Sequence, residues 1–272
     1  MCYLEKLRNH KLWNSFEHIS LEEMKTVTLM NRIDTKYVAH VGKLIPLLIH
    51  AHEAGFRVQF ETAALNGYNS VYYDTDDIEM YTMHHNRKLQ RKKVRMRTYL
   101  DSQTAFLEIK NKNNKGRTRK VRVRVKDNDM ERIRLNPDMQ DFIQTNTPYS
   151  FSNLKPTLQT LFDRITLVNH EKTERITIDV DLRFKNFITG ESADLKPLTI
   201  IELKQDGNFP SKMRNILLDL RIEPFHISKY CVGTAMTNPE AKINRFKRKL
   251  HLINKTINKY EYYDRFKITD PS

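Results

Sequence analysis

Three neighbouring segments of this sequence alternate cationic and apolar side chains, at residues 92–97, 107–110 and 119–124. Because side chains at positions i and i+2 lie on the same face of a β-strand, each segment would present one apolar face and one charged face. The turn-rich sequences between the segments predict three consecutive antiparallel strands. Rows of Arg and Lys on one face of a sheet repel each other, so the pattern predicts that a polyanion binds there.

The composition also indicates an anionic partner. The chain has 272 residues, with 47 Lys and Arg against 33 Asp and Glu, which gives a net charge of +14. Nucleic acids, nucleotides or other phosphates, and acidic membrane surfaces are typical partners of such proteins. None of the seven glycines lies in a GxxxxGK[ST] or GxGxxG pattern. The glycine-rich phosphate loops of P-loop and Rossmann enzymes are therefore excluded, and side chains must bind any phosphate.

The sequence predicts a cytoplasmic protein. Cys2 and Cys231 are its only cysteines, too few for a disulfide framework, which indicates a reducing compartment. The N-terminal residues are charged and lack the apolar stretch of a signal peptide. The longest apolar run, residues 44–49, contains Pro46 and is too short to cross a bilayer.

Strand patterns recur along most of the chain, and no internal repeat or low-complexity linker divides it. We expect a single α+β domain, with a helical segment at residues 1–30, a strand-rich body at residues 31–235 and a basic helix at residues 236–272. A charged face shared by many antiparallel strands predicts a barrel or a strongly curved sheet with that face inward. Closure of the sheet would also remove its exposed edges.

Carboxylates interrupt the predicted cationic faces. The period of two places together Glu108 and Lys110, then Arg175, Asp179 and Asp181, and finally Glu202 and Lys204. Carboxylates on a nucleic-acid-binding surface would repel the phosphates, whereas Mg²⁺ or Mn²⁺ prefers hard oxygen ligands, such as carboxylates beside phosphates. Glu108, Asp179 and Glu202 are therefore candidate metal ligands, and Lys204 is a candidate phosphate ligand.

A series of short motifs stands in a specific order between residues 20 and 235. They are Asn31-Arg32-Ile33-Asp34-Thr35-Lys36-Tyr37, Tyr72-Tyr73-Asp74-Thr75, the runs from His84 to Arg97 and from Phe106 to Lys110, Asn114 to Thr118, Asp163 to Thr166, Glu174 to Asp179, Ile201 to Lys204, and Ile227 to Cys231. Their order resembles that of VTC-type polyphosphate polymerase domains, which belong with the CYTH proteins to the triphosphate tunnel metalloenzymes. The resemblance implies a closed antiparallel barrel of about eight strands, with flanking helices, around a basic tunnel.

The resemblance also implies a phosphate-binding set drawn from several strands. Its members are Lys36, Arg95, Arg97, Lys110, Lys120, Arg164, Arg175 and Lys229. Of these, Lys36, Arg95, Arg97 and Lys229 would act in catalysis, and Glu202 would be the metal carboxylate. CYTH proteins open with an ExExK strand, whereas Arg32, Asp34 and Lys36 stand here. The missing acids favour the polymerase branch over two-metal hydrolysis.

Three functions remain open at this point. The first is an ATP-dependent polyphosphate polymerase, a phosphotransferase that uses Mn²⁺ or Mg²⁺ and has ATP and inorganic polyphosphate as partners. The second is a tripolyphosphatase or nucleoside triphosphatase on the same fold, with water as the acceptor. The third is a non-enzymatic binder of nucleic acid or another polyanion. It requires exposed aromatic side chains among the cations, whereas Tyr72, Tyr73 and Phe106 fit the pattern of core residues better.

Overall fold

The computed structural model describes residues 3–27, 32–115, 117–125, 135–207 and 209–265. Its centre is a largely antiparallel sheet. The strands are β1 (His18–Ile19), β2 (Arg32–His40), β3 (Phe56–Gln59), β4 (Asn66–Asp74), β5 (Arg91–Tyr99), β6 (Thr104–Lys112), β7 (Thr118–Val125), β8 (Lys155–Asn169), β9 (Glu174–Asn186), β10 (Ser192–Leu195) and β11 (Leu198–Asp206). The helices are α1 (Tyr3–Arg8), α2 (Leu21–Lys25), α3 (Leu44–Glu53), α4 (Glu79–His85), α5 (Pro137–Asn146), α6 (Lys212–Asp219), α7 (Lys229–Thr237) and α8 (Lys247–Arg265).

The long strands lie in the order β2-β11-β9-β8-β4-β5-β6-β7. The α+β class and the antiparallel sheet are thus confirmed. The predicted closure is wrong, because β2 and β7, at the two ends of this order, do not pair with each other in the described ranges. Strand patterns alone cannot reveal this, since closure depends on how the two end strands meet in space.

Residues 225–228, which precede α7, lie along the edge of β2 that faces away from β11. The N–H of Phe225 donates a 2.6 Å hydrogen bond to the carbonyl of Lys36. At its other side, the ammonium of Lys93 on β5 donates a 2.8 Å hydrogen bond to the hydroxyl of Ser228. Residues 225–228 therefore link β2 to β5.

The apolar faces of the strands lie on the outside of the curve, beneath helices. Ile165, Ile178 and Ile201 are fully buried in a cluster that includes residues of α3 and α6. Leu107 and Ile109 of β6 are fully buried in a second cluster that contains residues of α5. Each such side chain stabilises the fold by about 1.5–3 kcal/mol. This burial fixes the phase of every strand, so the charged side chains must face the concave side.

The concave face is apolar at one end, where α7 packs against it. Leu158 and Phe184, on the same face as Arg164, are buried there with Tyr230 and Val232 of α7. A Cβ atom at Gly233 would lie 2.6 Å from the Phe184 ring and 2.7 Å from the Leu158 side chain. Glycine is therefore required for the helix to fill this end of the concave face.

Several predicted helices differ from the observed ones. The N-terminal segment is only partly helical, because β1 lies between α1 and α2 and pairs with β3. The basic helix expected at residues 236–272 begins only at Lys247, and the structure describes it as far as Arg265. Residues 126–134, Asn31 and Gly116 lie outside the described residues. Within the described ranges, no helix is both long and apolar enough to span a bilayer.

Candidate functional site

Strand register brings the predicted site residues onto the concave face. Directly opposed across neighbouring strands are Lys36 and Glu202, Lys204 and Arg175, Arg164 and Asp179, Arg95 and Glu108, and Lys110 with Lys120. Opposed residues on one face of an antiparallel pair have Cβ atoms only about 4.5–5.5 Å apart. The period-2 pattern of the sequence therefore places these side chains on one continuous surface.

β2 also approaches β5 and β6 across this surface. Lys36 of β2 acts electrostatically on Lys93 of β5 and on Lys110 of β6. Lys110 is exposed to solvent, but the protein around it, with help from Arg95, lowers the pKa of its ammonium to about 6, so a bound anion would favour its charged form. The concave face thus concentrates more positive charge than its own acids neutralise.

Asp179 is the centre of one buried ion cluster. Its carboxylate accepts hydrogen bonds of 2.6 Å and 2.9 Å from the guanidinium of Arg164, and it also accepts one from the ammonium of Lys229. Burial alone would raise the pKa of Asp179, but Arg164 and Lys229 outweigh it and hold that pKa well below its usual range. Lys229 is the first residue of α7, so the helix that fills one end of the face also contributes a cation to it.

Glu108 is the centre of a second ion cluster. Its carboxylate is fully buried and accepts hydrogen bonds of 2.6 Å and 2.9 Å from Arg95, and it forms an ion pair with Lys120. Within the described ranges, no carboxylate lies within ion-pair distance of Arg97, two residues from Arg95, and its guanidinium donates a 3.2 Å hydrogen bond to the Ser70 hydroxyl. Burial and the neighbouring Arg95 lower the pKa of Arg97 to about 10.

Glu202 is the acid with the loosest cationic contact on this face. Of the cations that the structure describes, the closest is the ammonium of Lys204, 3.7 Å away, and about a fifth of the Glu202 side chain is exposed. Burial would raise the pKa of Glu202, but the charges of Lys36 and Lys204 lower it to about 2, so the group is ionised at neutral pH. An ionised carboxylate with oxygen atoms still available fits one ligand position of a hard divalent cation.

The other two candidate metal ligands are placed differently. Glu108 and Asp179 share their oxygen atoms with Arg and Lys, as described above, so their geometry favours holding those cations in position. No group of three or more His, Cys, Asp or Glu side chains in the described part of the chain could enclose a metal ion. A metal at Glu202 would therefore need phosphate oxygens and water as its remaining ligands.

Aromatic rings form part of the concave face. The guanidinium carbons of Arg164 and Arg97 lie 4.9 Å and 5.4 Å from the centre of the Tyr68 ring. Tyr72 accepts a 3.3 Å hydrogen bond from Arg95, and the Arg122 guanidinium lies 4.6 Å from the Phe106 ring centre. The prediction of core residues is confirmed for Tyr72 and Tyr73, which are buried in apolar clusters, and is wrong for Phe106, which is only half-buried.

The sequence pattern also missed one cation and misplaced one acid. Lys93 lies opposite Lys110, in the same row as Lys120, and its spacing of two from Arg95 was the signal that could have identified it. Asp181 was expected beside Asp179, but its backbone has a positive φ of 52° next to a shift in strand register. Its carboxylate pairs with Arg183 instead. Such a bulge ends the period of two.

A model of the VTC domain family matches residues 31–238 of this chain. The comparison with curated proteins gives no match. Among solved structures, a candidate adenylate cyclase from Bacillus halodurans is 14% identical, with 80% of this chain and 100% of that chain covered and a TM-score of 0.48. A candidate adenylate cyclase from Vibrio parahaemolyticus is 12% identical, with coverages of 75% and 99% and a TM-score of 0.45. A Hippeastrum protein described as having a dominant triphosphatase activity is 10% identical, with coverages of 78% and 98% and a TM-score of 0.44.

Proposed function

Because this chain belongs to the VTC domain family, we propose that it is an ATP-dependent polyphosphate polymerase, which transfers the γ-phosphate of ATP to an inorganic polyphosphate chain. One observation carries the proposal. The concave face gathers cations from seven strands and from the start of α7, and only a few carboxylates interrupt them. These cations are Lys36, Lys93, Arg95, Arg97, Lys110, Lys120, Arg164, Arg175, Lys204 and Lys229.

A linear chain of phosphates fits this arrangement of charge. Two like charges 4 Å apart repel by ~4 kcal/mol at an effective dielectric of 20, so the cations of the face destabilise each other. A triphosphate would relieve this repulsion along its whole length. In the ranges that the structure describes, no carboxylate lies within ion-pair distance of Arg97 or Lys36, and the hydrogen bond from Lys36 to the Ile227 carbonyl is long at 3.5 Å, so both cations are available to bind it.

A divalent cation fits at Glu202, and Mn²⁺ or Mg²⁺ is the class we propose. When bound, it would neutralise negative charge on the phosphate oxygens. Glu202 would supply one protein ligand, while Lys36 and Lys204 beside it hold the carboxylate ionised. Glu108 and Asp179 would orient Arg95, Lys120, Arg164 and Lys229 toward the phosphates.

The proposed reaction needs position and charge more than proton transfer. The terminal phosphate oxygen of the acceptor chain is already ionised, so no strong general base is required. Lys36, Arg95, Arg97 and Lys229 would hold the donor and acceptor in line and stabilise the charge of the transferring phosphoryl group. The γ-phosphorus bond to the ADP oxygen breaks as the bond to the acceptor oxygen forms, and ADP leaves.

The product of the purified protein tests the proposal. With ATP and Mn²⁺, we expect polyphosphate longer than tripolyphosphate, and one ADP released for each phosphate added to the chain. Release of orthophosphate without polymer would instead identify a triphosphatase. Lys36→Ala and Glu202→Ala should both abolish turnover, whereas Lys196→Ala, at an exposed lysine paired with Asp194, should leave it unchanged. A simple polyanion binder would give neither product.

A further inference from the structure

Two arginines of β7 belong to the concave face but to none of its ion clusters. Arg122 lies opposite Glu108 and Arg124 lies opposite Phe106 in the β6–β7 register, so both share the face of Lys120. Both side chains are exposed. Among the described residues, no carboxylate lies within ion-pair distance of either guanidinium, because Glu108 pairs with Arg95 and Lys120 instead.

Arg122 is held in place without losing its charge. Its guanidinium carbon lies 4.6 Å from the centre of the Phe106 ring, and Phe106 is itself between Arg97 and Arg124 in the strand register. Stacking on a ring orders the side chain while its N–H groups remain available to an anion. The planar guanidinium can then donate two hydrogen bonds to one phosphate group.

The two arginines lie on the open side of the face. The opposite end is filled by α7. At the start of this helix, the ammonium of Lys93 donates a hydrogen bond to the Ser228 hydroxyl, and the Tyr230 hydroxyl donates one to the Asp74 carboxylate. Lys93, Lys110 and Lys120 form one row, so Lys120 is the β7 cation nearest to that filled end. From Lys120 to Arg124 the strand advances by four residues, or about 13 Å, away from α7.

We propose that Arg122 and Arg124 form a second anion-binding stretch that holds phosphates of a linear polyphosphate beyond those in the main site. The identity of this anion rests on the proposed function. Because α7 fills the other end, a chain longer than the main site can accommodate must extend along β7. These residues would then determine how firmly a long chain is retained between additions, and so the length of the product.

Binding measurements on the purified protein test this without requiring turnover. The variant is Arg122→Gln/Arg124→Gln, and the matched control is Arg119→Gln, an exposed arginine on the other face of the same strand. The two probes are tripolyphosphate and a polyphosphate of several tens of phosphates. We expect the double variant to bind the long chain about tenfold more weakly, a change of about 1.4 kcal/mol. Its affinity for tripolyphosphate and its melting temperature should equal those of the wild type.

The salt dependence gives a second measurement. Two lost phosphate contacts should reduce the slope of log affinity against log salt by about 1.4 for the long chain. The inference is overturned if the long-chain affinity is unchanged, if both probes weaken equally, or if Arg119→Gln has the same effect. If the wild type makes no polymer from ATP yet shows the expected binding pattern, the proposed function fails and the second anion-binding stretch stands.

Discussion

The guanidinium of Arg164 and the carboxylate of Asp179 face each other across β8 and β9 and share two hydrogen bonds, of 2.6 Å and 2.9 Å. This pair connects the sheet to α7, because Lys229 donates to the same carboxylate. A bidentate pair fixes the orientation of the guanidinium as well as its charge. One acid therefore positions two cations of the site, which come from different parts of the chain.

Replacing Asp179 by Asn should destabilise the protein strongly. The change leaves Arg164 and Lys229 buried without a counter-charge, and breaking a buried ion cluster in this way costs about 3–5 kcal/mol. Urea unfolding measures the loss. Asp194→Asn removes an acid from an exposed pair with Lys196 and should cost about 0–1 kcal/mol. Equal losses in the two variants would contradict the central role of Asp179.

Replacing Glu202 by Gln should separate metal binding from phosphate binding. We expect turnover to stop and Mn²⁺ binding to be lost, because the metal carboxylate of the proposed site is gone. Metal-free affinity for tripolyphosphate should rise severalfold, since a negative charge has been removed from the anion site. Isothermal titration calorimetry measures both quantities.

The control for Glu202 is Glu53→Gln, which removes an exposed acid beside His50 on helix α3, on the outer side of the sheet. It should leave Mn²⁺ binding and turnover in place. A Glu202→Gln enzyme that keeps its metal-dependent activity would show that the metal is held elsewhere.

Much of the site could be predicted from the alternation of charge, because burial of one strand face determines the direction of the other. The rows that contain Arg95, Lys110 and Glu202 follow from that period alone. The same pattern failed where local geometry changes the period, as at Asp181, and where a half-buried aromatic ring supports a cation, as at Phe106. Lys36, Arg164 and Lys229 were identified by the family resemblance, since spacing gives no signal for residues that converge only in three dimensions.

Gly233→Ala should destabilise the packing of α7. The added methyl group would lie within 2.7 Å of Phe184 and Leu158, and overpacking of this kind costs about 1–3 kcal/mol. Phe184→Leu in the same chain should restore part of the loss, and a double-mutant cycle in urea measures the coupling. If the two substitutions change the free energy of unfolding additively, contact with Phe184 is not the reason that glycine is required at position 233.

Tripolyphosphate should stabilise the protein without any turnover. An anion that binds only the folded state at a hundred times its dissociation constant adds about 2.7 kcal/mol, which corresponds to a rise in melting temperature of roughly 5–10 °C. Thermal unfolding with tripolyphosphate, compared with sulfate at equal ionic strength, measures this. An equal rise with sulfate would show general charge screening, and no rise at millimolar tripolyphosphate would contradict the site.

Tyr72 should report the charge of the site through its own ionisation. Burial tends to raise the pKa of this phenol, but Arg95, Lys93 and Arg97 favour the phenolate and lower the pKa to about 8. In the unfolded chain this phenol has a pKa near 10, so between about pH 8 and pH 10 the unfolded state binds more protons than the folded state. The free energy of unfolding, measured relative to Tyr72→Phe, should therefore increase with pH over that interval. Tyrosinate absorbance should show one group titrating near pH 8 that is missing in Tyr72→Phe.

Bound anion should reverse this shift. Tripolyphosphate places negative charge beside Arg95 and Arg97, which makes the phenolate less favourable and raises the pKa of Tyr72 back toward the ordinary value. The same absorbance titration, repeated with saturating tripolyphosphate, should move the transition to higher pH in the wild type and leave Tyr72→Phe unaffected. If the wild-type transition does not move, the phosphates bind away from Arg95 and Arg97, and the proposed position of the triphosphate on the concave face is wrong.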